Sequence, residues 1–477
     1  MMPHRPDHNH LLALSHALTL LAAGRFERAE GIGLRVAGED GEYADAWFIA
    51  GVAAGRQGRH AEAVERLERA IGLQPGVAEY FNNLGVSRNA LGLDEEALRD
   101  FETALALHPD DYGAHANRAR LLLKIGDAQQ ALLAIRRARA LCPGDAELMG
   151  DEAVILMAHR ELEGALSLYE QALRIAPEDA EIHFNYSRAL LMAGRYAEGW
   201  RENEWRWRAR HYRGVTRAFP APVWAGEPLA GRRIAMLSEQ GFGDALQFIR
   251  YAAVLKGLGA EVGVTCRPEL TRLFRAARGV DWACEWEHQL PEVDFCIPMW
   301  SLPLVLGTGP ETIPEARCLT VPPGSFPGVV RQGYRVGLVW SGNNRRDFRF
   351  GDLEPLLAVE GVAFHSLQFG PQAVLARERG GVHDWSSHLS DFAVTAALLS
   401  QMDLLITIDT AVAHLAGGLG VPFWLFTHVT ADWRWGWRGA STPWYPGARL
   451  FRQHRRGVWA DVVLEMADAL RKELADG

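Results

Sequence analysis

A chain of 477 residues is too long for one hydrophobic core, so two or three domains are expected. With 48% hydrophobic and 23% charged residues it has a globular composition, and a formal charge of −9 argues against the concentrated basic surface that nucleic-acid binding needs. Five scattered cysteines, none in a Cys-x-x-Cys pair, do not make a disulfide framework and point to a reducing, cytoplasmic setting.

In chain order, the apolar segment Leu11 to Ala23 is interrupted by Ser15 and His16 and lacks a strongly basic leader. It reads as an amphipathic helix rather than a signal peptide. No run is apolar enough to span a bilayer. The histidines before it, His4, His8 and His10, suit either a metal or a solvated terminus.

From about residue 11 to 211 the sequence repeats itself. Pro75, Pro109, Pro143 and Pro177 stand 34 residues apart, as do Ala63, Ala97, Ala131 and Ala165, and again Ala70, Ala104, Ala138 and Ala172. Leu67, Phe101, Ile135 and Tyr169 keep the same step. Gly24, Gly58, Gly92, Gly126 and Gly194 occupy the turn between two helices of each unit, with Arg160 breaking the series. This period and pattern are those of a tetratricopeptide-repeat solenoid: small alanines let paired helices approach, glycine ends the first helix, and proline marks the next link. Such a solenoid offers a curved surface for a partner. A spacer or dimerisation arm is the competing reading.

Between Gly199 and Gly231 the repeat gives way to a segment rich in tryptophan, proline and glycine, expected to be a packed joint. After Arg232 the pattern becomes alternating strands and helices, the signature of parallel α/β sheets. One sheet starts near Ile234, and a second near Tyr334 continues through Val362 to Gln368 and Leu404 to Ile408. The expected domains are therefore a solenoid (11–211), a first α/β domain (212–322) and a second (323–477) ending in an amphipathic helix from Val458 to Leu474.

Each sheet's first strand runs into a polar, glycine-containing turn, where doubly wound folds bind ligands. The first turn carries Gln240, Gly241, Gly243 and Asp244, and the second carries Ser341, Gly342, Asn343, Asn344, Arg345 and Arg346. The buried-looking strand Leu404 to Ile408 leads through Asp409 and Thr410 into a small-residue helix bearing His414. A helix start at a strand's carboxyl end suits an anion such as a diphosphate. An ordinary strand–helix corner with a core histidine is the alternative. Trp433, Trp435 and Trp437 suit a sugar face or core packing equally.

Gly241-x-Gly243-Asp244, the Val-Trp-Ser-Gly-Asn343 turn, Asp409-Thr410-x-x-x-His414, Asp432-Trp-Arg-Trp435 and Pro443-Trp-Tyr445 occur in order. Together they resemble the bacterial tetratricopeptide-repeat glycosyltransferases, whose catalytic half is similar to the family 9 heptosyltransferases. The resemblance implies a GT-B fold of two Rossmann-like domains, acceptor on the first and nucleotide sugar on the second. It implies transfer to a hydroxyl, inverting and without a metal or other cofactor, with Asp244 as general base; no Asp-x-Asp follows residue 212. Ser341, Gly342, Asn343, Arg345, Arg346, Asp409, Thr410 and His414 would then face the donor, with His414 a second candidate base. The acceptor is expected to be a polypeptide held by the solenoid, as in the similar O-linked N-acetylglucosamine transferases and flagellin glycosyltransferases. A lipopolysaccharide or other saccharide acceptor, and a non-catalytic adaptor with a pseudoenzyme half, are the alternatives.

One polar column runs through the first helices of the repeats: Asn83, Asn117, Asp151 and Asn185. Amides spaced along a groove can pair with an extended peptide backbone, as in the asparagine ladder of those transferases. Bonds between neighbouring helices are the competing use.

Overall fold

The computed structural model describes residues 8–212, 219–239, 241–286, 290–326, 328, 333–342 and 348–476. Its first part is a run of paired helices: α1 His8–Ala22, α2 Phe26–Glu39, α3 Ala44–Arg56, α4 His60–Leu73, α5 Ala78–Ala90, α6 Asp94–Leu107, α7 Tyr112–Ile125, α8 Ala128–Leu141, α9 Ala146–Ala158, α10 Leu162–Ile175, α11 Ala180–Met192 and α12 Tyr196–Asn203. The repeating alanines at 63, 97, 131 and 165, and at 70, 104, 138 and 172, are fully buried. The large residues Leu67, Phe101, Ile135 and Tyr169 lie between them, at most 1% exposed. They face small residues one helix earlier: a Cβ on Gly51 would lie 2.8 Å from Leu67 Cγ, and one on Gly85 2.7 Å from Phe101 Cε1. Each turn glycine is left-handed, with φ from 70° to 101°, and Arg160 adopts the same conformation at φ 61°.

The repeat pattern and the compact units do not end together. The first unit reaches Ile182, and the second runs from His183 to the C-terminus, so nearly all of α11 and the whole of α12 belong with the α/β half. The sequence boundary near residue 211 follows helical periodicity, whereas packing is decided by side chains. Trp200 is 1% exposed and donates from Nε1 to the Thr308 carbonyl at 2.9 Å. Tyr196 accepts from Trp444 Nε1 at 3.1 Å, and both rings share a cluster with Phe248 and Trp433. Arg206 is wholly buried between Glu204 and Glu239. Among the described residues of the joint, Trp200 and Trp224 are buried, and Trp224 donates its amide to the Cys296 carbonyl at 2.9 Å.

The first sheet has strands β1 Arg233–Leu237, β2 Glu261–Cys266, β3 Trp282–Glu285 and β4 Phe295–Pro298, in order β3-β2-β1-β4. The second has β5 Tyr334–Val339, β6 Val362–Ser366, β7 Val382–Asp384, β8 Leu404–Ile408, β9 Phe423–Thr427 and β10 Ala448–Arg452, in order β10-β9-β8-β5-β6-β7. Every strand pair is parallel. Each sheet reverses direction beside its first strand, and the second has the Rossmann-like order 3-2-1-4-5-6. Helices α13 Phe242–Phe248, α14 Tyr251–Gly257, α15 Pro268–Phe274 and α16 Leu302–Val305 accompany the first sheet. Helices α17 Glu354–Leu357, α18 Val374–Arg379, α19 Phe392–Leu399, α20 Ala411–Leu419 and α21 Ala460–Asp476 accompany the second.

Both faces of the second sheet are covered, which explains strands that are apolar at successive positions. Val336, Leu338, Leu404, Ile406, Ile408, Trp424 and Phe426 point to a core capped by Val462, Met466 and Leu470 of α21. The alternate residues Val339, Leu405, Phe423 and Leu425 join a core shared with the first sheet and α12. None of the described helices is long and apolar enough to cross a membrane.

Candidate functional site

The carboxyl ends of β5 and β8 meet where the second sheet reverses. All of β8 is buried, and Thr410, extended at φ −141°, is the N-cap of α20. Gly342 follows β5 so closely beside it that a Cβ there would lie 3.2 Å from Thr410 Cγ2. Gln368, just past β6, fixes this turn: its Oε1 accepts the amides of Trp340 (3.0 Å) and Ser341 (2.9 Å), and its Nε2 donates to the Ser341 carbonyl at 3.1 Å. A pocket of about 780 Å³ opens on the other side of this turn, toward α18, lined by Ser341, Gly342, Phe348, Arg349, Gln372 and Arg379, among others. Of the expected donor residues, Ser341 and Gly342 line it, and Asp409 and Thr410 stand at the neighbouring strand end. Asn343, Arg345 and Arg346 lie outside the described residues, as does Gln240 of the other turn.

At the first sheet, Gly241 is the N-cap of α13 and Asp244 its third residue. The Asp244 carboxylate folds back on the turn, where the Gly241 amide donates to it, so this acid also closes its own helix start. Helix α13 packs along α20. Gly243 makes that approach possible, since a Cβ would lie 3.0 Å from His414 Cδ2. The two glycine-containing turns and the Asp-Thr-x-x-x-His helix thus come from distant sequence to one place.

Asp244 is held from the far side by Arg434, whose Nη2 donates to Oδ1 at 2.7 Å. Arg434 also donates from Nη1 to Asp432 Oδ1 at 2.9 Å and from Nε to Gln247. Its guanidinium lies 4.4 Å from the Trp433 ring centroid and 5.0 Å from that of Trp300. Burial pushes the Asp244 carboxyl above the ordinary carboxylate range, with Arg434 opposing and Asp432 reinforcing the rise. Its side chain keeps 25% exposure, against 8% for Arg434. A half-sheltered acid whose pKa is raised by burial is a better proton acceptor than an ordinary carboxylate.

His414 is 5% exposed, and its Nδ1 lies 2.7 Å from the Tyr445 hydroxyl. Burial and the nearby Arg434 and Arg250 hold its pKa well below the usual histidine value, so the ring is neutral at pH 7. Burial raises the Tyr445 pKa to about 12. Arg250, itself buried, donates to the Trp444 carbonyl at 3.0 Å and sits 4.8 Å from the Tyr445 ring centroid. His414 is thus a buried ring bonded to Tyr445 and packed against Gly243. Trp433 and Trp435 are likewise core residues, 5% and 2% exposed. Arg434, Tyr445, Gln368 and Gln247 escaped the sequence reading as site residues. A single arginine among tryptophans in Asp432-Trp-Arg-Trp435 is the signal that marked one of them. Among the described residues no group of three histidine, cysteine or acidic side chains is arranged to hold a metal.

In the solenoid, the polar column is engaged within the protein. Asn83 Nδ2 donates to the Glu79 carbonyl at 2.9 Å, and Asn117 Nδ2 donates to Asn82 Oδ1 at 2.9 Å. Arg120 bridges Asn117 Oδ1 (3.2 Å) and Asp151 Oδ2 (2.7 Å). Asn185 stands half-buried on α11.

The family models agree with the repeats. Tetratricopeptide-repeat family models match residues 14–78, 50–98 and 90–146, and a further one matches 156–199. The chain is similar to Protein FlbA of Caulobacter vibrioides, 28% identical over 338 residues, which is 61% of this chain and 55% of that protein. It thus spans about half the length of that curated relative. Among solved structures it is similar to a thermophilic tetratricopeptide-repeat protein of Thermus thermophilus (23% identity, 38% of this chain, 99% of that one, TM-score 0.35). It is also similar to PilF of Pseudomonas aeruginosa (19% identity, 43% of this chain, 92% of that one, TM-score 0.37). A third is PilW, a type IV pilus biogenesis factor (17% identity, 44% of this chain, 99% of that one, TM-score 0.40). The chain thus carries tetratricopeptide repeats between residues 14 and 199, is similar to a bacterial protein, and continues into a region of two parallel sheets.

Proposed function

We propose that the chain is a glycosyltransferase of the GT-B type, moving a sugar from a nucleotide-sugar donor to a hydroxyl of a polypeptide acceptor held by the solenoid. The observation that carries this reading is the meeting of α13 with α20, which sets a half-sheltered Asp244 beside the ligand-binding ends of two parallel sheets. The pocket at Ser341 and Gly342 is of a size for a nucleotide sugar. In the reaction, Asp244 takes the proton of the acceptor hydroxyl while its oxygen attacks the anomeric carbon. The bond from that carbon to the phosphate oxygen breaks, with inversion. The departing phosphate is stabilised by the start of α20 at Thr410 and by Arg345 and Arg346, without a metal.

Calorimetry with a panel of nucleotide sugars tests the donor half, and Thr410→Val is expected to weaken binding of whichever sugar is bound. Asp244→Asn is expected to lower transfer by about 10²–10⁴. Full transfer by that variant, or no binding of any nucleotide sugar, would overturn the reading in favour of a repeat adaptor with an inactive α/β half. The acceptor is tested by replacing Asn83, Asn117 and Asn185 with alanine. Lost transfer to polypeptide, flagellin being one substrate to try, at unchanged donor binding supports a peptide-reading ladder. Transfer only to lipid-linked saccharide would make the acceptor a saccharide.

A further inference from the structure

Three charged side chains beside the turn at Asp244 are unevenly matched. Arg434 is the one cation that touches Asp244 among the described residues, yet it is shared with a second acid, Asp432, through a separate nitrogen. Its third nitrogen is taken by Gln247, a wholly buried amide whose own Nε2 has no hydrogen-bond partner among the described residues. The guanidinium lies against the rings of Trp300 and Trp433, so it has little freedom to leave. Asp432 has further help: its carboxylate receives the Arg434 amide at 3.1 Å and has Arg188 of α11 at 3.5 Å. Two acids thus compete for one guanidinium, and Asp432 is the better supplied.

We propose that Arg434 is the positioning residue for Asp244, and that Asp432, by taking part of the guanidinium's charge, leaves Asp244 the more basic of the two acids. This rests on the reading of Asp244 as general base. The directions agree with it: against the upward push of burial, Arg434 and then Arg188 hold the Asp432 carboxyl below its ordinary range, while burial leaves that of Asp244 raised. Two carboxyls pushed apart in this way mark which is the proton acceptor and which the fixed counter-ion. The other groups facing Asp244 are few. Trp300 offers its indole and Gly241 its amide. Tyr212 feels the charge of Asp244. Glu239, on the same turn, is neutralised by Arg206, and Asp409 acts on Arg434. His414, behind Gly243, carries no charge at neutral pH.

The test is a pair of substitutions with opposite expected signs in the full chain. Asp432→Asn gives Asp244 a larger share of Arg434, so the acid limb of the transfer rate should move down by about one pH unit. Arg434→Gln removes the cation, so the limb should move up by about as much, and Arg434→Lys should restore part of the shift. The titration of Asp244 itself, read by infrared difference against Asp244→Asn, should show the same opposite movements without any transfer being measured. A merely structural role would change the rate and leave the limb in place. Unmoved titration in a folded Asp432→Asn protein, or movement of both variants in one direction, overturns the inference. Loss of transfer in Asp244→Asn decides separately whether that residue is the base.

Discussion

Arg160 stands in a left-handed turn where every other repeat turn has glycine, and it is the one non-glycine residue with positive φ among those described. A Cβ in that conformation costs on the order of 1 kcal/mol, so Arg160→Gly is expected to stabilise the solenoid by up to about that much in urea unfolding. Gly417 is a stricter case. A Cβ there would lie 2.1 Å from Tyr445 Cδ1, and Tyr445 is 1% exposed with nowhere to go. Gly417→Ala is expected to cost about 3 kcal/mol and to break the contact between Tyr445 and His414. Neither cost is visible in local sequence, because each depends on what faces the residue.

At the scale of elements, β6 carries a histidine whose state sets an acid limit. His365 is 2% exposed, accepts the Trp385 indole N–H on Nδ1 at 3.0 Å and stacks on His383 of β7. Burial, then His383 and Arg335, lower its pKa from 6.5 to about 4. Between those values the unfolded chain binds a proton that the folded chain refuses, so stability falls as pH drops, by at most about 1.4 kcal/mol per unit. His414, shifted the same way, adds to that loss. His365→Gln is expected to lose less stability between pH 7 and 4.5 than the parent, measured by urea midpoints at each pH. The α13–α20 pair makes a second demand: Gly243→Ala must push His414 aside and is expected to weaken the packing of both helices.

For the whole molecule, the end of the first compact unit at Ile182 has a direct consequence. A fragment of residues 177–477 keeps α11, α12, Tyr196, Trp200 and Arg206, and is expected to unfold cooperatively. One of residues 213–477, cut where the helical periodicity stops, strips Arg206 from the buried Glu239 and two large rings from the core. Leaving a buried carboxylate unpaired costs roughly 3–5 kcal/mol, and the shorter fragment is expected not to fold. Circular dichroism and urea unfolding of the two fragments compare them directly.

What the sequence determined by itself is whatever repeats or alternates along the chain. The 34-residue step placed the buried alanines and the glycine turns because each repeat meets its neighbour in the same way. The apolar runs and the turns after them placed β1, β5, β6 and β8, a helix start at Asp409 or Thr410 and the turn at Asp244, since backbone preference and strand burial are local or periodic properties. Only the tertiary structure decided that α12 packs with the sheets, that Gly243 meets His414 and Gly342 meets Thr410, and that His414 is a neutral core ring. It alone placed Arg434 between Asp244 and Asp432, 190 residues along the chain from Asp244. Such pairings depend on which side chains share a buried space with too few charges to satisfy them all, and no pattern within a single segment records that competition.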